Sequence, residues 1–128
     1  MSAIAILAAI MLTGSAPPRQ TATIELPNGR TVVVTLDDAE QIRAAARQLL
    51  IRKHTKLPLP ESASIDHFGT VRMGEWTLGQ SLDESELSLT YPTYMTDAVR
   101  RWQTIRIKRV AGRWKALGIS EASAHRTY

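Results

Sequence analysis

The chain has no cysteine, only seven aromatic residues (three Trp, three Tyr, one Phe) and no charged side chain among its first sixteen residues. Without cysteine there are no disulfide staples, thiol catalysis, iron–sulfur clusters or Cys-based zinc sites, and no lipidated N-terminal cysteine. No apolar run reaches the ~20 residues that a membrane-spanning helix needs. What remains is the composition of an ordinary globule. At 128 residues, 44% apolar and 22% charged, the chain suits one domain with a modest core. The net charge of +4 is mild and permits a polyanionic partner without requiring one.

Residues 1–16 differ from the rest. Ala3 to Leu12 is an unbroken apolar run, and Thr13-Gly14-Ser15-Ala16 follows it with small residues. This is the pattern of a secretory signal peptide, although no Lys or Arg precedes the run. Cleavage near Ser15 or Ala16 leaves Pro17-Pro18-Arg19-Gln20 as an extended lead-in. The expected organisation is a signal peptide over 1–16 and a single α+β domain over 17–128, exported to the periplasm or secreted and soluble after cleavage.

Within that domain, Thr23–Leu26 and Arg30–Thr35 flank Pro27-Asn28-Gly29 and predict a hairpin. Asn-Gly favours a type I′ turn, in which both central residues take positive φ. Val32, Val33 and Val34 in succession predict a second strand covered on both faces. A helix follows, with Asp37 as N-cap and Glu40 closing a capping box. Ile42, Ala46, Leu49 and Leu50 form its apolar face, with Arg43 and Arg47 on another. Arg52, Lys53 and His54 suit its C-terminal dipole. Leu57-Pro58-Leu59-Pro60 then stops the helix and makes a stiff linker.

The remainder predicts a four-stranded antiparallel meander packed on the helix. Its strands are Thr70–Leu78, Glu86–Tyr91, Trp102–Val110 and Arg113–Ser120. Gly79–Ser85 makes one turn and Ala111-Gly112 another, and Asp97–Trp102 is open to a short helical turn. Pairing Val110 with Trp114 sets Ile107 opposite Leu117 and Ile105 opposite Ile119. Ala122–Tyr128 is expected to fray.

Catalytic chemistry finds little support. His54, His67 and His125 are dispersed and show no metal-ligand spacing, so no metal site and no cofactor are expected. Asp66-His67 is the sole acid–histidine neighbour pair, and no nucleophile elbow accompanies it.

Charge is the informative feature. Glu61 to Glu86 carries six carboxylates against Arg72 alone, whereas Arg100 to Arg113 carries six cations and no acid. Neighbouring strands of opposite charge predict cross-strand pairing on a solvated face. The functional alternative is a cationic stripe of Arg106, Lys108 and Arg109 flanked by Trp102 and Trp114. That stripe suits a protein or an anionic envelope component; nucleic acid is not expected for an exported chain. Trp76, Tyr91, Tyr94 and Met95 are candidates to line a small pocket, with core packing as the competing role.

The ending Arg106–Ala116, a charged strand turning at Gly112 into a Trp-containing last strand, resembles the final hairpin of small NTF2-like and cystatin-like domains. Such a resemblance implies a ligand-binding or enzymatic cavity between helix and sheet. It extends over about twenty residues and transfers no catalytic residue. An NTF2-like domain also opens with helices, whereas this domain opens with a hairpin.

Overall fold

In the computed structural model, residues 20–81 and 86–125 are described; the expected signal peptide, residues 82–85 of the expected Gly79–Ser85 turn, and Arg126–Tyr128 lie outside them. Strands β1 (Thr21–Glu25) and β2 (Thr31–Thr35) form a two-stranded antiparallel sheet, and helix α1 (Leu36–Arg52) follows directly. Six further strands make one antiparallel meander: β3 (Ala63–Ile65), β4 (Val71–Met73), β5 (Trp76–Gln80), β6 (Leu87–Met95), β7 (Val99–Val110) and β8 (Arg113–His125). The class is α+β, with six strands in the meander where four were expected.

The additions have local causes. Gly74, at φ +69°, breaks the expected Thr70–Leu78 strand into β4 and β5. Positive φ is cheap for glycine, so a tight turn forms there. Ala63–Ile65 adds an edge strand too short to carry a period-two signal. Gly79 belongs to β5 rather than to the following turn, and no helical turn forms near Asp97. Ala122–His125 do not fray, because they pair with Val99–Trp102.

The type I′ geometry expected at Asn28-Gly29 forms at the other hairpin turn instead. At Pro27-Asn28-Gly29 only Gly29 has positive φ (+83°), and Gly29 N–H donates to Leu26 O at 2.9 Å. That is a three-residue loop of a type I turn closed by a left-handed glycine. At Ala111-Gly112 both residues have positive φ, +52° and +78°, the requirement of a type I′ turn. Such a turn forces its flanking residues together, so Val110 pairs with Arg113 and Arg109 with Trp114. The expected register is therefore one residue out at this end. A bulge at Leu117 then shifts the phase of β8, and Ile105 does face Ile119.

Helix α1 is capped by Thr35 rather than Asp37. The Asp38 N–H donates to Thr35 Oγ1 and the Thr35 N–H to Asp38 Oδ2, both at 3.0 Å. Glu40 is thereby free to bond elsewhere, and its Oε1 accepts the Ala63 N–H of β3 at 2.8 Å. Ala39, Ile42, Ala46, Leu49 and Leu50 are buried, matching the expected apolar stripe and extending it by one turn.

The core lies between α1 and one face of the meander. Ile65, Val71, Met73, Leu78, Leu87, Leu89, Ile105 and Ile107 alternate onto that face and are buried. Helix α1 packs against β3 and β8, the two edges of the sheet, so the sheet curves around it. The β1–β2 hairpin adds Ala22 and Val34 to the core, whereas Val33 is 54% exposed. Its sheet is a single layer with one open face, so the three valines are not covered on both sides as expected.

Candidate functional site

Strand alternation sorts the basic residues of β7. Ile105 and Ile107 face the helix, so Arg100, Trp102, Thr104, Arg106 and Lys108 project from the opposite, outer face. No described helix or strand packs on that face. The register adds Arg72 from β4 and Arg113 and Lys115 from β8. Lys108 stands directly opposite Lys115, a like-charge cross-strand pair. Arg106 lies across Gly118: its Nη2 is 3.1 Å from the point a Cβ there would occupy. The missing side chain of Gly118 gives the guanidinium room to lie flat on the sheet.

The expected cross-strand ion pairs do not form among the described residues. Ion pairs there join only Arg43 to Glu40 at 3.0 Å and Arg72 to Asp66 at 4.0 Å. The reason is position: Glu61, Asp66, Glu75 and Glu86 lie in turns and connections, while the cations lie within strands. Glu86 Oε1 instead accepts the Arg109 N–H at 3.2 Å. Asp66 Oδ1 accepts the N–H groups of Phe68 and Thr70, both at 2.9 Å. These bonds, Thr70's foremost, hold the Asp66 carboxyl below the usual carboxylate range, helped by nearby Arg72.

Arg109 and Trp114, candidates alongside Arg106, Lys108 and Trp102, belong to the other side. Trp114 is buried against α1, its Nε1–H donating to Asp38 Oδ1 at 3.1 Å. The Arg109 guanidinium caps its ring at 4.3 Å from the centroid. These two residues tie β7 and β8 to the helix. The one-residue difference in register is what moves Trp114 from the stripe to the core.

A groove of about 510 Å³ opens on the outer face between the β4–β5 turn and the far half of β6–β7. Trp102, Met95, Arg72, Arg100, Thr90 and Glu75 line it, with Pro92 beside Trp102. Arg72 is the lone cation of an acid-rich stretch, and that is its sequence signal; a single Thr70–Leu78 strand would set it on the face opposite Thr77, with which the β4–β5 turn instead pairs it. Only the strand pairing brings it to Arg100.

The pocket candidates part company. Trp76 is fully buried, donates from Nε1 to Pro58 O at 2.9 Å and meets Tyr91 at 5.2 Å between centroids. Together they line a hollow of about 440 Å³ with Leu59, Glu61 and Glu75. Burial, then the charge and hydrogen bond of Glu75, push the Tyr91 hydroxyl pKa up. Tyr94 is exposed on the β6–β7 arm, 5.7 Å from the Arg101 guanidinium, and takes no part in that hollow. Met95 lines the outer groove instead.

Among the described residues, no three His, Asp or Glu side chains converge as metal ligands, and no helix is long and apolar enough to cross a membrane. Comparison with protein-family models, with curated proteins and with solved structures gives no match.

Proposed function

We propose that this chain is a small exported, non-catalytic module that engages an anionic partner, a protein or a component of the cell envelope, through its outer sheet face. The carrying observation is a cation cluster at the β7–β8 end that forms no ion pair among the described residues: Lys108 directly faces Lys115, with Arg106 and Arg113 beside them. Like charges placed opposite one another cost stability. An external anion lying between them recovers that cost. Export rests on the uncharged apolar segment at the N-terminus and is checked by the mass of the chain recovered outside the cytoplasm.

Binding to an immobilised polyanion is expected to weaken steeply as salt rises, because the cations are exposed. The Arg106→Glu/Lys108→Glu double variant is expected to abolish it. Binding that ignores salt, or that survives the double reversal in a folded protein, overturns the proposal.

A second reading, a small-ligand carrier, is favoured by the hollow lined by Trp76 and Tyr91. An apolar ligand co-purifying with the protein and lost in Tyr91→Ala supports it; binding unchanged in that variant removes it.

A further inference from the structure

The groove beside the cation cluster has a mixed chemistry that a plain anion-exchange surface does not require. It brings an indole, Trp102, together with Arg100 two residues away on the same strand and Arg72 on the opposite wall, and adds the Thr90 hydroxyl and one carboxylate, Glu75. Each component selects something different. An indole face takes a flat ring with an apolar face. A guanidinium takes a carboxylate or another planar oxyanion, preferably two oxygens at once. A carboxylate such as Glu75 only accepts hydrogen bonds, so it takes hydroxyl donors. A sugar acid offers a ring face, a carboxylate and several hydroxyls in one unit. A deoxynucleotide chain offers the ring and the charge but no sugar hydroxyls for Glu75 and Thr90 to bond.

The cations continue beyond the groove. Arg100 and Lys108 lie on one face of the same strand, eight residues apart, which is roughly 27 Å of extended chain. One monomer does not span that distance, so the arrangement fits an extended ligand with repeated charge.

We infer that the outer face binds a linear acidic polysaccharide of the uronic-acid type. One sugar ring lies on Trp102 with its carboxylate taken by Arg100, Arg72 adds positive charge on the groove's opposite wall, and the chain runs along β7 to Arg106, Lys108 and Lys115. This inference rests on the outer face being the anion-binding face proposed above.

The test uses the full chain, titrated calorimetrically with galacturonate oligomers of three and twelve units, with an oligo-dT of matched charge and with a neutral glucan of matched length. The twelve-unit acid is expected to bind at least about tenfold tighter than the trimer, since only it reaches both ends of the row. Oligo-dT is expected to bind at least about tenfold more weakly than the twelve-unit acid, and the glucan not at all. Trp102→Ala is expected to cost about tenfold with the salt dependence unchanged. Glu75→Gln, which keeps an acceptor for the Tyr91 hydroxyl but accepts ligand hydroxyls more weakly, is expected to narrow the gap between the polysaccharide and oligo-dT. If every polyanion binds alike and neither variant changes the ranking, the polysaccharide inference falls while the anion-binding face stands. If no polyanion binds in a salt-dependent way, both fall.

Discussion

Asp38 is the residue on which three elements meet. Its Oδ2 accepts the Thr35 N–H at the end of β2, its own N–H starts α1, and its Oδ1 accepts the indole N–H of Trp114 on β8. Partial burial pushes its pKa up, but the bonds from Thr35 and Trp114, with the charge of Arg109, outweigh this and hold it below the ordinary 3.8. A carboxylate lowered by folding contributes stability that is complete above its unfolded value. That contribution fades as pH falls through the lower folded value. Asp38→Asn is therefore expected to cost about 1–2 kcal/mol at neutral pH, the size of a lost cap or a charged hydrogen bond. The gap between the native protein and this variant is expected to narrow below about pH 4 in denaturation midpoints taken across pH. A gap that stays constant on acidification removes the carboxylate from this role.

At the scale of elements, the β7–β8 hairpin decides which side chains form the site. Ala111 holds φ +52°, a region that costs an alanine roughly 1–2 kcal/mol and an asparagine less. Ala111→Asn is expected to raise stability by about 0.5–1 kcal/mol, read as a higher thermal midpoint with anion binding unchanged. A lower midpoint counts against the type I′ geometry. The same hairpin explains what the sequence conceals. The alternation of Trp102, Arg106 and Lys108 against Ile105 and Ile107 is visible in the residue order and survives folding. The side on which Trp114 lies depends on the turn type and on the bulge at Leu117, each moving the pairing by one residue. Neither leaves a composition signal, so Trp114 and Arg109 read as surface candidates while they belong to the helix junction.

At the scale of the molecule, α1 touches both edges of the meander, so helix and sheet stand or fall together. Ile42 lies fully buried in that seam. Ile42→Ala is expected to cost about 2–5 kcal/mol, a large share of the ~5–15 kcal/mol typical of a domain. Far-UV circular dichroism, which follows the helix, and tryptophan fluorescence, which follows the sheet, are expected to move in one transition. Separate transitions show that the helix is not the common support. Much of this architecture is determined by the sequence alone: the apolar stripe of α1, the β1–β2 hairpin, the α+β class and the basic character of β7 follow from local periodicity and turn chemistry. What only the tertiary structure decided is which charges share a face. Arg72 joins Arg100, and Lys108 meets Lys115, through pairing between strands distant in sequence. Periodicity acts over a few residues, whereas register is set by turns, bulges and the packing of the buried face.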